Sequence, residues 1–227
     1  MMYAIFGAKG GVGTSVVAAC LALIAARDEP TVIVDLAGDL PTVFGMQDGS
    51  GPGVHDWLNA GDGVPIDSLR RLELPVAHGL SLVPRGGELD SVGESRSRML
   101  GPVLAAEKRL VIVDCGIGLV GAQSSVVASS QCRLVVTRGC FLAVRRMTLS
   151  SHRPSGVVLI AEPGRALGRK QIEHATGLSV ACVVPCDVAV ARSIDAGLLA
   201  SRMPAAVARP LARTLINTLG GGLRGVA

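Results

Sequence analysis

The chain of 227 residues is 49% hydrophobic and 18% charged, which excludes disorder and implies one α/β domain of ordinary size with most segments buried on at least one side. Aromatic residues make up only 2%, too few for a base-stacking RNA or single-strand module. The net charge of +4 comes from nineteen Arg and three Lys against eighteen acids with no run of five like charges, so nucleic acid or anionic lipid is permitted as a partner without being implied.

In chain order, residues 2–6 read as a strand, residues 7–15 (G-A-K-G-G-V-G-T-S) as a glycine-rich loop, residues 16–26 as a helix and residues 31–36 (T-V-I-V-D-L) as a second strand. This is a βαβ unit, whose crossover is expected to be right-handed. Residues 45–63 are loop-rich with a short helix around 54–59, and residues 80–83 form a strand stopped by Pro84. The densest strand signal is 109–114 (R-L-V-I-V-D), followed by strands at 134–137, 156–160 and 180–184. Continuous Val/Ile/Leu runs separated by helical segments predict strands buried on both faces. The expected fold is therefore α/β, a mostly parallel, doubly wound sheet flanked by helices, in a single domain over residues 1–227. A last helix is expected from Pro210, as a first-turn residue, to about Leu219, ended by Gly220 to Gly222, with Leu211, Leu215, Ile216 and Leu219 on its apolar face.

Six cysteines without C-x-x-C spacing read as reduced, buried thiols, and Cys182 and Cys186 lack the further ligands a metal set needs. Residues 1–6 are too short for the core of a signal peptide and no apolar run reaches eighteen residues, so a soluble, cytoplasmic protein without a direct membrane anchor is expected.

A glycine-rich turn between a buried strand and a helix presents successive backbone N–H groups at the helix's positive end, and Gly10, Gly11 and Gly13 let a polyphosphate approach with no Cβ in the way. In the pattern G-x-x-x-x-G-K-[ST], Lys reaches the phosphates and Ser/Thr holds Mg²⁺; the aligned residues here are Ala8, Gly13, Thr14 and Ser15, so the first Gly and the Lys are both replaced. Asp35 and Asp114, at the ends of two strands, stand where open α/β sheets place ligands and join Ser15 as candidate Mg²⁺ or Mg²⁺-water ligands.

The run K-G-G-V-G-T-S resembles the deviant Walker A motif, K-G-G-x-G-K-[ST], of the MinD/ParA family of P-loop ATPases. The resemblance extends through T-V-I-V-D (31–35), G-V-H-D-W-L (53–58), L-S-L-V-P (80–84), L-V-I-V-D-C-G-I-G (110–118) and V-V-P-C-D (183–187), in the family's order and spacing. The lead G-A-K-G-G-V-G is most similar to the CpaE/TadZ branch of Tad pilus assembly and to the septum-site-determining proteins. The resemblance implies that Gly10, Gly11, Val12, Gly13, Thr14 and Ser15 bind ATP and Mg²⁺, and that Lys9 is the signature lysine contacting phosphate across a nucleotide-dependent homodimer. It further implies that Gly116 and Gly118 form the second switch, and that Pro185 and Asp187 read adenine, although the Asn that assists them in the family is not evident in V-V-L-I-A-E-P-G (157–164).

The family's second acid, two residues past the first strand-ending Asp, is replaced by Ala37, and the next acid is Asp39. Asp39 either takes over the orientation of the attacking water or merely caps a turn, so hydrolysis is expected to be weak or absent. The expectation is an ATP-responsive dimeric positioning or assembly factor for a pilus or division apparatus, recruited to membrane or pole through protein partners. The alternative is a degenerate scaffold of the same fold that binds no nucleotide. Arg145, Arg146, His152, Arg153, Arg165, Arg169 and Lys170 read as a solvated surface in preference to a DNA-binding patch.

Overall fold

The computed structural model describes residues 1–46, 51–61 and 65–220. The elements run β1 (Met2–Gly7), α1 (Thr14–Ala25), β2 (Thr31–Asp35), α2 (Leu40–Val43), α3 (Val54–Asn59), a 3₁₀ turn (Ile66–Leu72), β3 (Leu74–Ala77), β4 (Leu80–Val83) and α4 (Ser91–Ala105). They continue as β5 (Leu110–Asp114), α5 (Gly121–Ser129), β6 (Cys132–Arg138), α6 (Phe141–Leu149), β7 (Gly156–Ala161), α7 (Arg169–Thr176), β8 (Val180–Pro185), α8 (Val188–Asp195) and α9 (Ala205–Gly220). The strands form one eight-stranded sheet, ordered β3-β4-β2-β5-β1-β6-β7-β8, in which every pairing is parallel except that of β3 with β4.

Strand alternation sends successive residues to opposite faces, and both faces are covered. Tyr3 and Ile5 of β1 point into the layer built on α1 and α9, whereas Met2, Ala4 and Phe6 point into the layer holding Trp57, Leu100, Val126 and Met147. The central strands β2 and β5 are therefore buried at all five positions, as their unbroken Val/Ile/Leu runs predict. Helix α1 is buried along most of its length, with nine consecutive residues from Val17 to Ala25 shielded from solvent.

Two elements differ from the sequence expectation. Strand β3 is an antiparallel edge strand whose residues alternate between half-buried and exposed, with Pro75 tolerated at the sheet margin. Helix α9 begins at Ala205 and carries Pro210 inside it. Val207, Leu211 and Leu215, four residues apart, are buried against the α1 layer, and each such burial contributes roughly 1.5–3 kcal/mol. Together they exceed the roughly 3 kcal/mol cost of a proline in a helix interior. Ile216 is exposed, contrary to its assignment to the apolar face. Gly221, Gly222 and the residues after them lie outside the described residues, as does the side chain of Leu219. All six cysteines are free thiols, but only Cys20, Cys115, Cys132 and Cys182 are buried. Cys140 is half-buried and Cys186 is exposed just beyond β8, which corrects the reading of a uniformly buried set. Among the described residues no helix is long and apolar enough to cross a membrane.

Candidate functional site

At the carboxyl end of the sheet, the loop between β1 and α1 is pinned on both sides. The Gly7 amide donates to Gly116 O at 2.8 Å and the Ala8 amide to Val136 O at 2.9 Å, joining the loop to the ends of β5 and β6. Gly11 and Gly13 take φ of 70° and 96°, left-handed conformations that favour glycine, and a Cβ at either would meet nothing within 4 Å. The open space above them belongs to a cavity of about 650 Å³, in the size range of small-molecule sites. Lys9, Gly10, Gly11, Gly13, Thr14 and Ser15 line it from the loop, Ala37 and Asp39 from the segment after β2, and Cys115, Gly116 and Ile117 from the segment after β5. Gln123 of α5 and Arg138 at the end of β6 also stand on its wall.

The two strand-ending acids are neighbours in register, Asp35 beside Asp114, yet their environments differ. Asp35 Oδ1 accepts the amides of Ala37 and Gly38 at 2.9 and 2.6 Å, and Oδ2 accepts that of Leu40 at 2.9 Å. Burial raises its pKa against these three amides, and Asp39 adds to the raise. Its carboxylate is thus committed to folding the 37–40 turn. Asp114 Oδ1 accepts only the Gly116 amide, at 3.0 Å, and Oδ2 is buried without a hydrogen-bond partner. Burial pushes its pKa up to about 6, opposed by the nearby Ser15 hydroxyl, which does not reach hydrogen-bond geometry with either oxygen, and by the Gly116 amide, with the charges of Asp35 and Asp39 adding to the raise. An orphaned carboxylate oxygen beneath an open loop is the kind of buried polar atom that a ligand or its waters satisfy.

Ser15 Oγ faces this acid and stands 3.4 Å from Asp39 Oδ2. Among the described residues no three Asp, Glu, His or Cys side chains converge as a metal cage. The donors fit Mg²⁺ in its usual protein setting, one or two oxygens beside phosphates and retained waters: Ser15 would hold the ion, with Asp114 and Asp39 engaging its waters. The glycine cradle fits a polyphosphate, whose negative charge the α1 N-terminus favours.

The remaining candidates are dispersed. The Val12 side chain is buried in the core, and Val12 does not line the cavity. Thr14 is also buried, with its hydroxyl turned toward Gly7, where an added Cβ would lie 2.5 Å from Oγ1. Gly118 lines a separate cavity of about 320 Å³ on the other side of the loop, with Phe6, Ala8 and Met147. Pro185 ends β8, and Asp187 caps α8 by accepting the Ala189 amide at 2.8 Å; neither lines the main cavity. Asp39 is exposed at the start of α2 but makes no side-chain cap bond, so the turn-capping alternative has no geometric support. In the basic group, Arg165 is tied to Glu162, and His152 shares a 2.9 Å hydrogen bond with Ser124.

Arg138 and Gln123 are lining residues that the sequence reading missed. Arg138 closes β6 as Asp35 closes β2 and Asp114 closes β5. A polar residue ending a buried strand is the signal that would have found it.

No protein-family model matches the chain, and no curated protein matches it by sequence. Solved structures share its fold. A ParA family ATPase from Chlorobium tepidum superposes with a TM-score of 0.77 at 20% identity, covering 93% of this chain and 96% of that one. The septum site-determining protein MinD of Pyrococcus horikoshii, complexed with Mg-ADP, gives a TM-score of 0.76 at 19% identity and covers 100% of each chain. A Cyanothece McdA–ATP complex gives 0.72 at 15% identity, covering 96% of each.

Proposed function

We propose that this chain is a nucleotide-binding protein of the MinD/ParA type that takes Mg·ATP in the cavity over the β1–α1 loop. In this reading it acts as an ATP-responsive dimeric positioning or assembly factor, of the pilus or division-site kind. The observation that carries this reading is the conjunction of a positive-φ glycine cradle open to the cavity with the orphaned Asp114 Oδ2 beneath it. The shared fold with proteins solved as Mg-ADP and ATP complexes supports the choice of ligand. Turnover is weak or absent, because Ala37 presents only a methyl group where an acid would orient water, and Thr14 presents no charge.

Lys9 lines the cavity from a half-buried position, and a lysine that contacts phosphate across a dimer couples two equilibria. ATP then shifts monomer to dimer, and dimerisation tightens ATP binding by the same factor. Sedimentation of wild type and Lys9→Ala with and without Mg·ATP tests this: the coupling is expected in wild type and lost in the variant. A wild type that binds ATP as a monomer, with Lys9→Ala binding equally well, refutes the dimer. The buried Thr14 and the methyl of Ala37 also favour a second reading, a scaffold that keeps the fold and binds no nucleotide. No binding of Mg·ATP at millimolar concentration is its signature.

A further inference from the structure

Arg138 stands at the end of β6, two residues beyond Val136, whose carbonyl fixes the start of the phosphate loop. It lines the same cavity as Lys9 and Gly10. Its Nη1 donates to Glu162 at the end of β7, and Glu162 also accepts from Arg165 Nε at 2.6 Å. One carboxylate shared by two guanidiniums leaves the cluster with a net charge of +1. The Arg138 side chain is 30% exposed, while its Nε is buried with no hydrogen-bond partner. Among the described residues, Lys9 and Arg138 are the cationic side chains on the cavity wall, and Thr14, on the same wall, brings no charge to it.

We propose that Arg138 is the cation that binds phosphate within the subunit, replacing the lysine that the loop lacks at Thr14, with Glu162 as the carboxylate that partly neutralises its guanidinium and competes with phosphate for it. The inference rests on the nucleotide reading above. A guanidinium has donors to spare after one carboxylate contact and matches phosphate oxygens in a planar fork, so it supplies charge from the β6 side where the loop supplies only amides. A clamp joining the ends of β6 and β7 would need the ion pair but no place on the cavity wall.

The test compares Mg·ATP with inorganic tripolyphosphate, which isolates the phosphate contact from the base, by calorimetric titration of wild type, Arg138→Gln, Glu162→Gln and Arg138→Gln combined with Thr14→Lys. Loss of a charge-assisted phosphate contact is expected to weaken both ligands about ten- to a hundredfold in Arg138→Gln. Glu162→Gln removes the neutralising carboxylate and is expected to tighten both, and the added lysine should restore binding to Arg138→Gln. Equal binding of both ligands by wild type and Arg138→Gln overturns the proposal, as does unchanged or weaker binding by Glu162→Gln. The latter variant decides the matter by itself if Arg138→Gln does not fold. If wild type binds neither ligand, the nucleotide reading fails first and this inference with it; if wild type binds and Arg138→Gln binds as well, only the inference fails.

Discussion

Thr14→Lys is expected to move stability in opposite directions in the free and ligand-bound protein. Thr14 is the first residue of α1, and its hydroxyl lies over Gly7, 2.5 Å from the site of an added Cβ, so a lysine there must leave that position and run into the cavity. In the free protein this places a positive charge at the helix's positive end beside Lys9. The cost is about 0.3–1 kcal/mol, or a fall in thermal midpoint of about 1–4 °C for a chain of this size. With Mg·ATP the same ammonium gains a charge-assisted contact worth roughly 1.5–3 kcal/mol, a ten- to hundredfold gain in affinity. Thermal unfolding at several ATP concentrations reads both terms. The free variant should melt below wild type, and its midpoint should rise more steeply with ATP until it exceeds that of wild type. A variant that melts low and gains no more from ATP than wild type would show that the cradle does not face the phosphates.

Asp114→Asn removes a buried charge whose Oδ2 has no partner, and is expected to stabilise the ligand-free protein by about 1 kcal/mol while abolishing the Mg²⁺ dependence of nucleotide binding; calorimetry with and without Mg²⁺ checks both. Burial tends to raise the Glu107 pKa, but the Arg109 guanidinium and the Lys108 and Arg109 amides outweigh it and bring it to about 2. Because this folded-state pKa lies below the ordinary 4.5, the stabilisation is full above about pH 4.5 and is lost as pH falls toward about 2. Glu107→Gln should therefore flatten the acid limb of a stability–pH curve by about 1 kcal/mol, a measurement made by denaturant titration at each pH. Alkylation at neutral pH should label exposed Cys186 first and half-buried Cys140 more slowly, leaving Cys20, Cys115, Cys132 and Cys182 protected until unfolding, as peptide mapping by mass spectrometry would read.

The sheet was legible where the chain is most buried. V-I-V-D occurs in β2 and again in β5 because both strands are covered on both faces, and Gly11 and Gly13 mark left-handed backbone that glycine adopts freely. Strand β3 was illegible: four residues with a proline, half-exposed at an edge, carry almost no periodic signal. Helix α4 contains Gly93, Gly101 and Pro102, residue types that ordinarily weaken or interrupt a helix. Gly101 instead allows close approach of α5, since a Cβ there would lie 2.6 Å from Ser129 Oγ, and the Asp90 side chain caps the start by accepting the Gly93 amide.

In the site, the identical strand ends at Asp35 and Asp114 concealed their difference. It arises because L-A-G-D-L folds three amides back onto one carboxylate and C-G-I-G returns only one to the other. Arg138 joins the loop only through the pairing of β6 with β1, a long-range register that no local spacing encodes.

Titration of Mg·ATP into the wild-type protein, with heat and thermal midpoint followed together, tests whether the cavity over residues 9–15 receives the nucleotide. A ligand that binds only the native state stabilises it by about 2.7 kcal/mol at a hundredfold excess over Kd, which corresponds here to a rise of about 5–11 °C. A saturable heat and a rise of that order are expected, both dependent on Mg²⁺. No heat and an unchanged midpoint at millimolar ATP would contradict nucleotide binding and leave the fold serving protein contacts alone.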